Sequence, residues 1–474
     1  MMFFTPELVQ RLCDFTNRNA HLVGPSKPSM YAGWVDLDVD GFFRFIALLM
    51  YMGVVQVPNI ERYWSTTSIY HGLWARSFMT KHRYKQIMCF FKTCDPEGKE
   101  NVSPEMKLGK VNLLINIIRM RCSKLYQPGP NLSIDERMVA NKGRYSFRQY
   151  IRDKPTKWGM KLWVLADPRN GYTYDFDAYL GKSVRSSPFG LAYDVVMKFA
   201  RKLAHRGYRL FFDNFYTGVQ LLKDLLAIGI HAVGTVIATR HGFPAALKNI
   251  KLFEKKSVRG DMRWRREEDV LTIQWRDNKT ISVMSTMHDA NEFSSCKRLV
   301  KDKNGKFNSV YVRQPKCVRD YNTFMSGVDR SDQLINKYNM LRKTNKWWKT
   351  LFFHMIDIAR VNSYILFNEF REKNVTHCKE LERKKRYLQL DFTEELIRNL
   401  GNLNLYDDIP SAGRNIRFLK HEMIPVFTAL KRNCKLCYLA EKKERKSQVK
   451  CEKCGAHLCF NANRNCLLKY HENL

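Results

Sequence analysis

The sequence is short of acid: 46 Asp and Glu stand against 81 Lys and Arg in 474 residues, a net charge of +35. An excess of that size points to a polyanionic partner, nucleic acid first and an anionic membrane surface a distant second. Long apolar runs are lacking too. The longest, Phe45 to Val55, is well short of the ~20 residues that a spanning helix needs and is expected to be a buried helix, so no membrane partner is expected. The first residues, Met-Met-Phe-Phe-Thr-Pro-Glu-Leu, lack the charged-then-apolar order of a secretory signal. No internal repeat or low-complexity tract is present. Of 13 cysteines, six fall between Cys434 and Cys466 and the rest are scattered singly, which suits a reducing compartment better than a disulfide framework. What is present is 45% apolar and 13% aromatic residues, enough for folded cores, in a chain long enough for two to four domains.

The first 126 residues carry mainly helical spacing. Thr5-Pro6-Glu7 is a helix start; Leu37–Gly53, His82–Phe91 and Lys110–Leu125 are further helices. At Gln127-Pro128-Gly129-Pro130, a turn cluster, the period shortens. Strands are expected at Leu132–Val139, Met160–Ala166 and Tyr172–Tyr179, then a helix over Phe189–Leu203, a strand at Tyr208–Phe212, a helix over 217–228 and a strand at Ile230–Val236. That order, β-β-β-α-β-α-β, predicts a mixed α/β sheet. Residues 240–316 break the rhythm with charged strand-like pieces, Val270–Trp275 and Thr280–Ser285 among them, and read as a separate β-rich insertion. Helical spacing returns at Tyr321, and Trp347–Phe370 is a long helix apolar on most sides.

Three constellations could carry chemistry. Cys434-x-x-Cys437 and Cys451-x-x-Cys454 are two thiolate pairs, followed by His457, Cys459, Cys466 and His471. Tetrahedral Zn²⁺ takes four such ligands, so eight candidates allow two ions, with the pairing open. The segment from Asn141 interleaves Lys142, Arg144, Arg148, Arg152, Lys154, Lys157 and Lys161 with Tyr145, Phe147, Tyr150 and Trp158. Cations suit phosphates and aromatics suit bases, but the same aromatics could equally be core. Third are the acids. Asp213 closes a short apolar strand ahead of a helix, where Asp is also a common turn residue. In the expected layout the centre of the first strand, which carries Asp135, neighbours the end of the fourth, and Asp329 on a following helix can add a third carboxylate. Such a set suits Mg²⁺, a hard ion that prefers carboxylate oxygens.

The blocks S-I-D-E-R-M-V-A-N-K-G-R (133–144), F-R-Q-Y-I-R-D-K-P-T-K-W-G-M-K (147–161), F-D-N-F-Y-T-G (212–218), Y-N-T-F-M-S-G-V-D-R-S-D-Q (321–333) and R-K-T-N-K-W (342–347), with the C-terminal Cys/His module, resemble the piggyBac transposase family in the same order over essentially the whole chain. The resemblance implies an RNase H-like catalytic core with a D-D-D triad, Asp135, Asp213 and Asp329, and a nearby fourth acid, Asp332, holding Mg²⁺ or Mn²⁺. It implies cut-and-paste transposition through hairpin ends into TTAA sites of double-stranded DNA, a homodimer, and a zinc module that binds terminal repeats. Arg342, Lys343 and Lys346 of the last block join the expected DNA contacts. The implied division is a helical dimerisation and DNA-binding domain from 1–130 and 339–425, a core from 131–236 and 318–338, an insertion at 237–317 and a zinc module at 431–474. Family members usually carry an acidic N-terminal region ahead of this helical domain, so the sequence is expected to be a shortened relative or to lack a piece. A domesticated, non-mobile DNA-binding descendant is the alternative. Basic runs at 382–386 and 442–446 fit a nuclear location.

Overall fold

The computed structural model describes every residue except 1, 67, 99–106, 153, 182–186, 302–304, 341–342, 345, 384–385, 404–424, 453, 462–463 and 473–474. The chain divides into two compact units, one of residues 1–64 and 75–404 and one of 65–74 with 405–474.

The larger unit begins with helices α1 (Pro6–Val23), α2 (Pro28–Tyr31), α3 (Val39–Val54), α4 (Ala75–Phe78), α5 (Lys81–Phe90) and α6 (Asn112–Lys124). Their starts follow from capping. The Thr5 hydroxyl accepts the Leu8 N–H with Pro6 in the first turn, and Asp38 accepts the Gly41 N–H at 2.8 Å. The apolar run at Phe45 is the buried body of α3.

Strands then follow: β1 (Asn131–Ala140), β2 (Gln149–Tyr150), β3 (Trp158–Asp167) and β4 (Tyr172–Ala178). Next come α7 (Leu191–Ala200), β5 (Arg209–Phe212), α8 (Val219–Ala227) and β6 (His231–Thr235). Beyond them lie α9 (Ile250–Lys256), β7 (Met262–Glu267), β8 (Val270–Arg276), β9 (Thr280–Ser285), β10 (Phe293–Lys301) and β11 (Phe307–Pro315). The larger unit ends with α10 (Lys316–Phe324), α11 (Gly327–Lys337), α12 (Trp347–Asn374) and α13 (Gln389–Gly401).

Among the described residues one mixed sheet runs β2-β3-β1-β5-β6-β9-β8-β7, with β4 also on β3. β1 is antiparallel to β3 and parallel to β5, and β5 is parallel to β6. Sequence reading treats the residues after 237 as a separate insertion, and here the structure differs. β9 pairs antiparallel with β6, and β8 and β7 extend the sheet further, so of the described strands in 237–317 the β10–β11 hairpin alone forms a separate sheet. The reason is the edge: without β9, β6 would leave a row of unpaired peptide groups. Trp275, Leu271, Val283 and Val312 build the core on this side together with Phe211 and Val233.

The long helix α12 packs against α6, α11, α13, β1 and β4. Its first four turns are buried all round, polar groups included. Several of those groups are partnered across the unit. Thr350 accepts from Asn141 at 2.6 Å, Asn362 exchanges hydrogen bonds with the Thr173 main chain at 3.0 and 2.9 Å, and Asp357 accepts the Met340 N–H. Buried polar groups paired in this way specify one packing arrangement.

Lys349, also on α12, is only 3% exposed and donates to the Met88 carbonyl. Burial, and then the charges of Lys346, Lys27 and Lys92, lower its pKa to about 7. An unfolded lysine keeps its proton to about pH 10.4. Between these values the unfolded chain binds the extra proton, so this group adds stability as pH rises from about 7 towards 10. Lys349→Met is therefore expected to flatten the stability profile there by up to about 1.4 kcal/mol per pH unit, measured by urea unfolding. Parallel profiles for the two proteins would contradict the assignment.

Candidate functional site

The parallel ladder of β1 and β5 aligns Ile134 with Phe212. The next residue on each strand is an acid, Asp135 in mid-strand and Asp213 where β5 ends. Asp213 also shapes its own turn. Its carboxylate accepts the Phe215 N–H at 2.9 Å, and its main-chain carbonyl accepts the Thr217 hydroxyl at 2.8 Å. Asp213 thus shapes this turn and also stands level with Asp135.

α11 supplies the other two acids. Ser133, Asp135 and Arg137 share one face of β1 by strand alternation. The helix lies close on that face: a Cβ on Gly327 would stand 2.3 Å from the Ser133 hydroxyl, too near for any residue with a side chain. One turn on, the buried Arg137 guanidinium pairs with Asp332 and donates to Ser331 at 2.8 Å, while Ser331 also bonds Thr173 at 2.9 Å. Asp332 is thus anchored by an arginine. Asp329 lies exposed in the first turn of α11, where an acid also favours the helix dipole.

Electrostatics link Asp135 with Asp213, and Lys154 with Asp135 and Asp329. Burial first, then repulsion from Glu136 and Asp213, push the Asp135 carboxyl up to about 7. Burial also raises Asp213, with Glu136 adding to it against the Phe215 N–H. Lys154 stands 3.6 Å from Glu136, and although burial opposes it, Asp135, Glu136 and Asp329 hold its proton more firmly than usual. The Lys154 ammonium therefore faces three carboxylates from β1 and α11. Around them stand Tyr216, buried with a hydroxyl that has no hydrogen-bond partner among the described residues, and Lys161, 3.9 Å over the Trp163 ring, which in turn stacks on Phe215 at 5.7 Å. Glu136 and Tyr216 were not singled out by sequence. Their only signal was adjacency to Asp135 and to the Asp213 turn.

Hard oxygen donors that repel one another, balanced by a lysine, are a donor set that fits Mg²⁺. The acids are not drawn as close together as the four cysteines described below.

The basic segment splits. Phe147 is buried and Tyr145 packs with it and with Trp347, so these two aromatics are core. Tyr150 and Trp158 are exposed and pair at 4.7 Å, with Arg148 over Trp158 at 4.4 Å. Lys142, Arg144, Arg152 and Lys157 point to solvent, while Lys154 and Lys161 turn to the acids. Lys343 and Lys346 are exposed, and Arg342 lies outside the described residues.

The smaller unit holds β12 (Pro425–Asn433), α14 (Lys435–Glu441), β13 (Lys446–Cys451), β14 (Phe460–Asn461), β15 (Arg464–Asn465) and α15 (Cys466–Glu472). Cys434, Cys437, Cys459 and Cys466 are buried, with all four sulfurs within 4.8 Å of one another. Cys437 lies 3.9 Å from Cys459 and 3.7 Å from Cys466. Zn–S bonds of ~2.3 Å in a tetrahedron put sulfurs ~3.8 Å apart, so the set fits one zinc ion. The first thiolate pair joins the two late cysteines, which spacing left open. Cys451 and Cys454 lie beside each other outside this group. His457 Nδ1 meets the Ser447 carbonyl at 3.2 Å, and the His471 side chain is outside the described residues. Of the two zinc ions expected, the cysteine geometry supports one.

A family model described as transposase IS4 matches residues 1–364. The chain therefore falls in the family of IS4-type DDE transposases. PiggyBac transposable element-derived protein 3 of Homo sapiens is 28% identical over 383 residues, 79% of this chain and 61% of that protein. The human piggyBac transposable element-derived protein 2 is 28% identical over 333 residues, 68% of this chain and 54% of the relative. The chain thus spans between half and two thirds of these relatives. A cryo-EM structure of the piggyBac transposase synaptic complex with hairpin DNA superposes with a TM-score of 0.71 at 21% identity, over 97% of this chain and 93% of the other, a likeness of fold. The chain belongs to the piggyBac transposase family.

Cys434→Ser is expected to remove about one zinc equivalent per chain and to destabilise the smaller unit, whereas Cys94→Ser should leave metal content unchanged, both read by elemental analysis of purified protein. Equal zinc in the two variants would contradict the four-cysteine assignment.

Proposed function

We propose that the chain is a piggyBac-type DNA transposase whose Asp135, Asp213 and Asp329 hold divalent metal for DNA strand cleavage and joining. The observation that carries this reading is the β1–β5 register, which brings Asp135 and Asp213 to one level of the sheet, with Lys154 facing Asp135 and Asp329 together. The strand order β4-β3-β1-β5-β6, with β3 alone antiparallel to its neighbours β1 and β4 and the rest parallel to β1, supports an RNase H-like core.

When bound, Mg²⁺ or Mn²⁺ supplies activation of the attacking oxygen and charge compensation at the departing one. The chain's own residues do the rest. The Phe215 N–H fixes the rotamer of Asp213, and the β1 ladder fixes Asp135. Arg137 clamps α11 through Asp332 and Ser331, which makes Asp332 an anchoring group first and a ligand second. Lys154 balances the acids and, with a divalent ion held there, would be available to a phosphate. Lys142, Arg144, Arg148, Arg152, Lys157, Lys343 and Lys346 offer the backbone contacts, and Tyr150 and Trp158 an exposed aromatic step.

The remaining parts of the reading follow from the family. They are hairpin ends, TTAA targets, a homodimer, nuclear action, a helical domain from 1–130 and 339–425, and terminal-repeat binding by the residue 431–474 module. Cys451, Cys454, His457 and His471 would hold a second zinc. A non-mobile DNA-binding descendant is the second reading, favoured by the relatives being named transposable element-derived proteins. It needs the basic surface and no acids.

Incubated with Mg²⁺ and DNA carrying its terminal repeats, the protein should yield hairpin ends. Asp213→Ala should reduce them on the order of a hundredfold or more while leaving DNA binding intact. Binding without cleavage by the unmodified protein would select the non-enzymatic reading. Cleavage undiminished by the substitution would overturn the carboxylate assignment.

A further inference from the structure

The β10–β11 hairpin is sorted by its register. Lys297 pairs with Tyr311, Leu299 with Ser309, Lys301 with Phe307 and Ser295 with Arg313, and paired residues share a face. The opposite face is attached to the protein over part of its length: Cys296 and Val312 pack with the Trp275 core and Arg298 pairs with Asp277 at 3.1 Å, while Val300 and Val310 stay 38% and 39% exposed. The outward face keeps Leu299 65%, Phe307 64% and Tyr311 76% exposed. Among them stand Lys297, Lys301 and Arg313, also exposed. From 293 to 319 the sequence holds eight Lys and Arg and a single acid, Asp302, which lies outside the described residues.

Three large apolar side chains turned to water on a two-stranded ribbon are not explained by stability, since such ribbons are marginal alone. The interleaved cations identify what would cover them. Nucleic acid takes cations on its phosphates and apolar groups along its base edges, and a two-stranded ribbon fits the ~12 Å major groove of B-form DNA. Lys297 to Lys301 spans about 13 Å, roughly four base-pair rises. We propose that the outward face of the β10–β11 ribbon is a duplex-DNA contact surface that lies in a groove, separate from the carboxylate site and from the basic segment at 142–161. It rests on the proposed action on DNA for its ligand, and on nothing else in that reading.

The test uses the full chain and a labelled random-sequence duplex of about 40 base pairs, with affinity followed against salt. The combined Lys297→Gln, Lys301→Gln and Arg313→Gln variant should bind about tenfold or more weakly, with the slope of log affinity against log salt smaller by about 2 to 3. Phe307→Ser with Tyr311→Ser should weaken binding at an unchanged slope. Independently, a benzophenone amino acid at position 299 of the otherwise native chain should crosslink to the duplex. If the unmodified chain binds no duplex, the DNA reading itself fails. If it binds and neither affinity nor slope changes in the variants, or the crosslink goes to protein and not to DNA, the ribbon proposal alone is overturned.

Discussion

The rest of the structure depends on the parallel pairing of β1 with β5. Four residue pairs, from Asn131 with Arg209 to Ile134 with Phe212, fix the level of Asp135 against Asp213. A slip of one residue would carry Asp135 to the other face of the sheet, because side chains alternate strictly. The slip is opposed on both sides. β1 is also held antiparallel by β3 over eight pairs, and Phe211, Phe212, Ile134 and Leu132 are fully buried. Gly327 and Arg137 then set α11 onto the same face, one by having no side chain and the other by a buried ion pair.

This arrangement accumulates negative charge in a protein that is otherwise strongly positive. Burial and like charges raise Asp135, and Lys154 supplies the local balance. The surface outside shows the reverse imbalance, with exposed cations from 142 to 157 and on the outer ribbon face. An acidic centre in a basic surround is the charge pattern on which the proposed action on DNA rests.

Much of this was legible in the sequence. Apolar runs gave β1, β3 and β5 within two residues of their observed bounds, and the three acids fall on the expected elements, the expected first and fourth strands being β1 and β5, which pair in parallel. What was illegible was non-local. Nothing in Thr280–Ser285 announces that it will pair with β6, since edge pairing depends on which strand is left open. The basic-aromatic segment could not be divided from its own pattern. Phe147 is core only because Trp347, two hundred residues on, closes over it. Cysteine spacing gave the candidates but not the partners, which the fold settles for Cys434, Cys437, Cys459 and Cys466.

The central claim is that Asp135, Asp213 and Asp329 form a divalent-metal site. The most direct measurement is the electron paramagnetic resonance of free Mn²⁺ titrated into zinc-loaded protein. The account predicts uptake of Mn²⁺ by the unmodified chain that is lost in Asp213→Ala and in Asp135→Asn and unaffected by Asp224→Asn, an acid on α8 bonded to Tyr193. Equal uptake by all four proteins would contradict it.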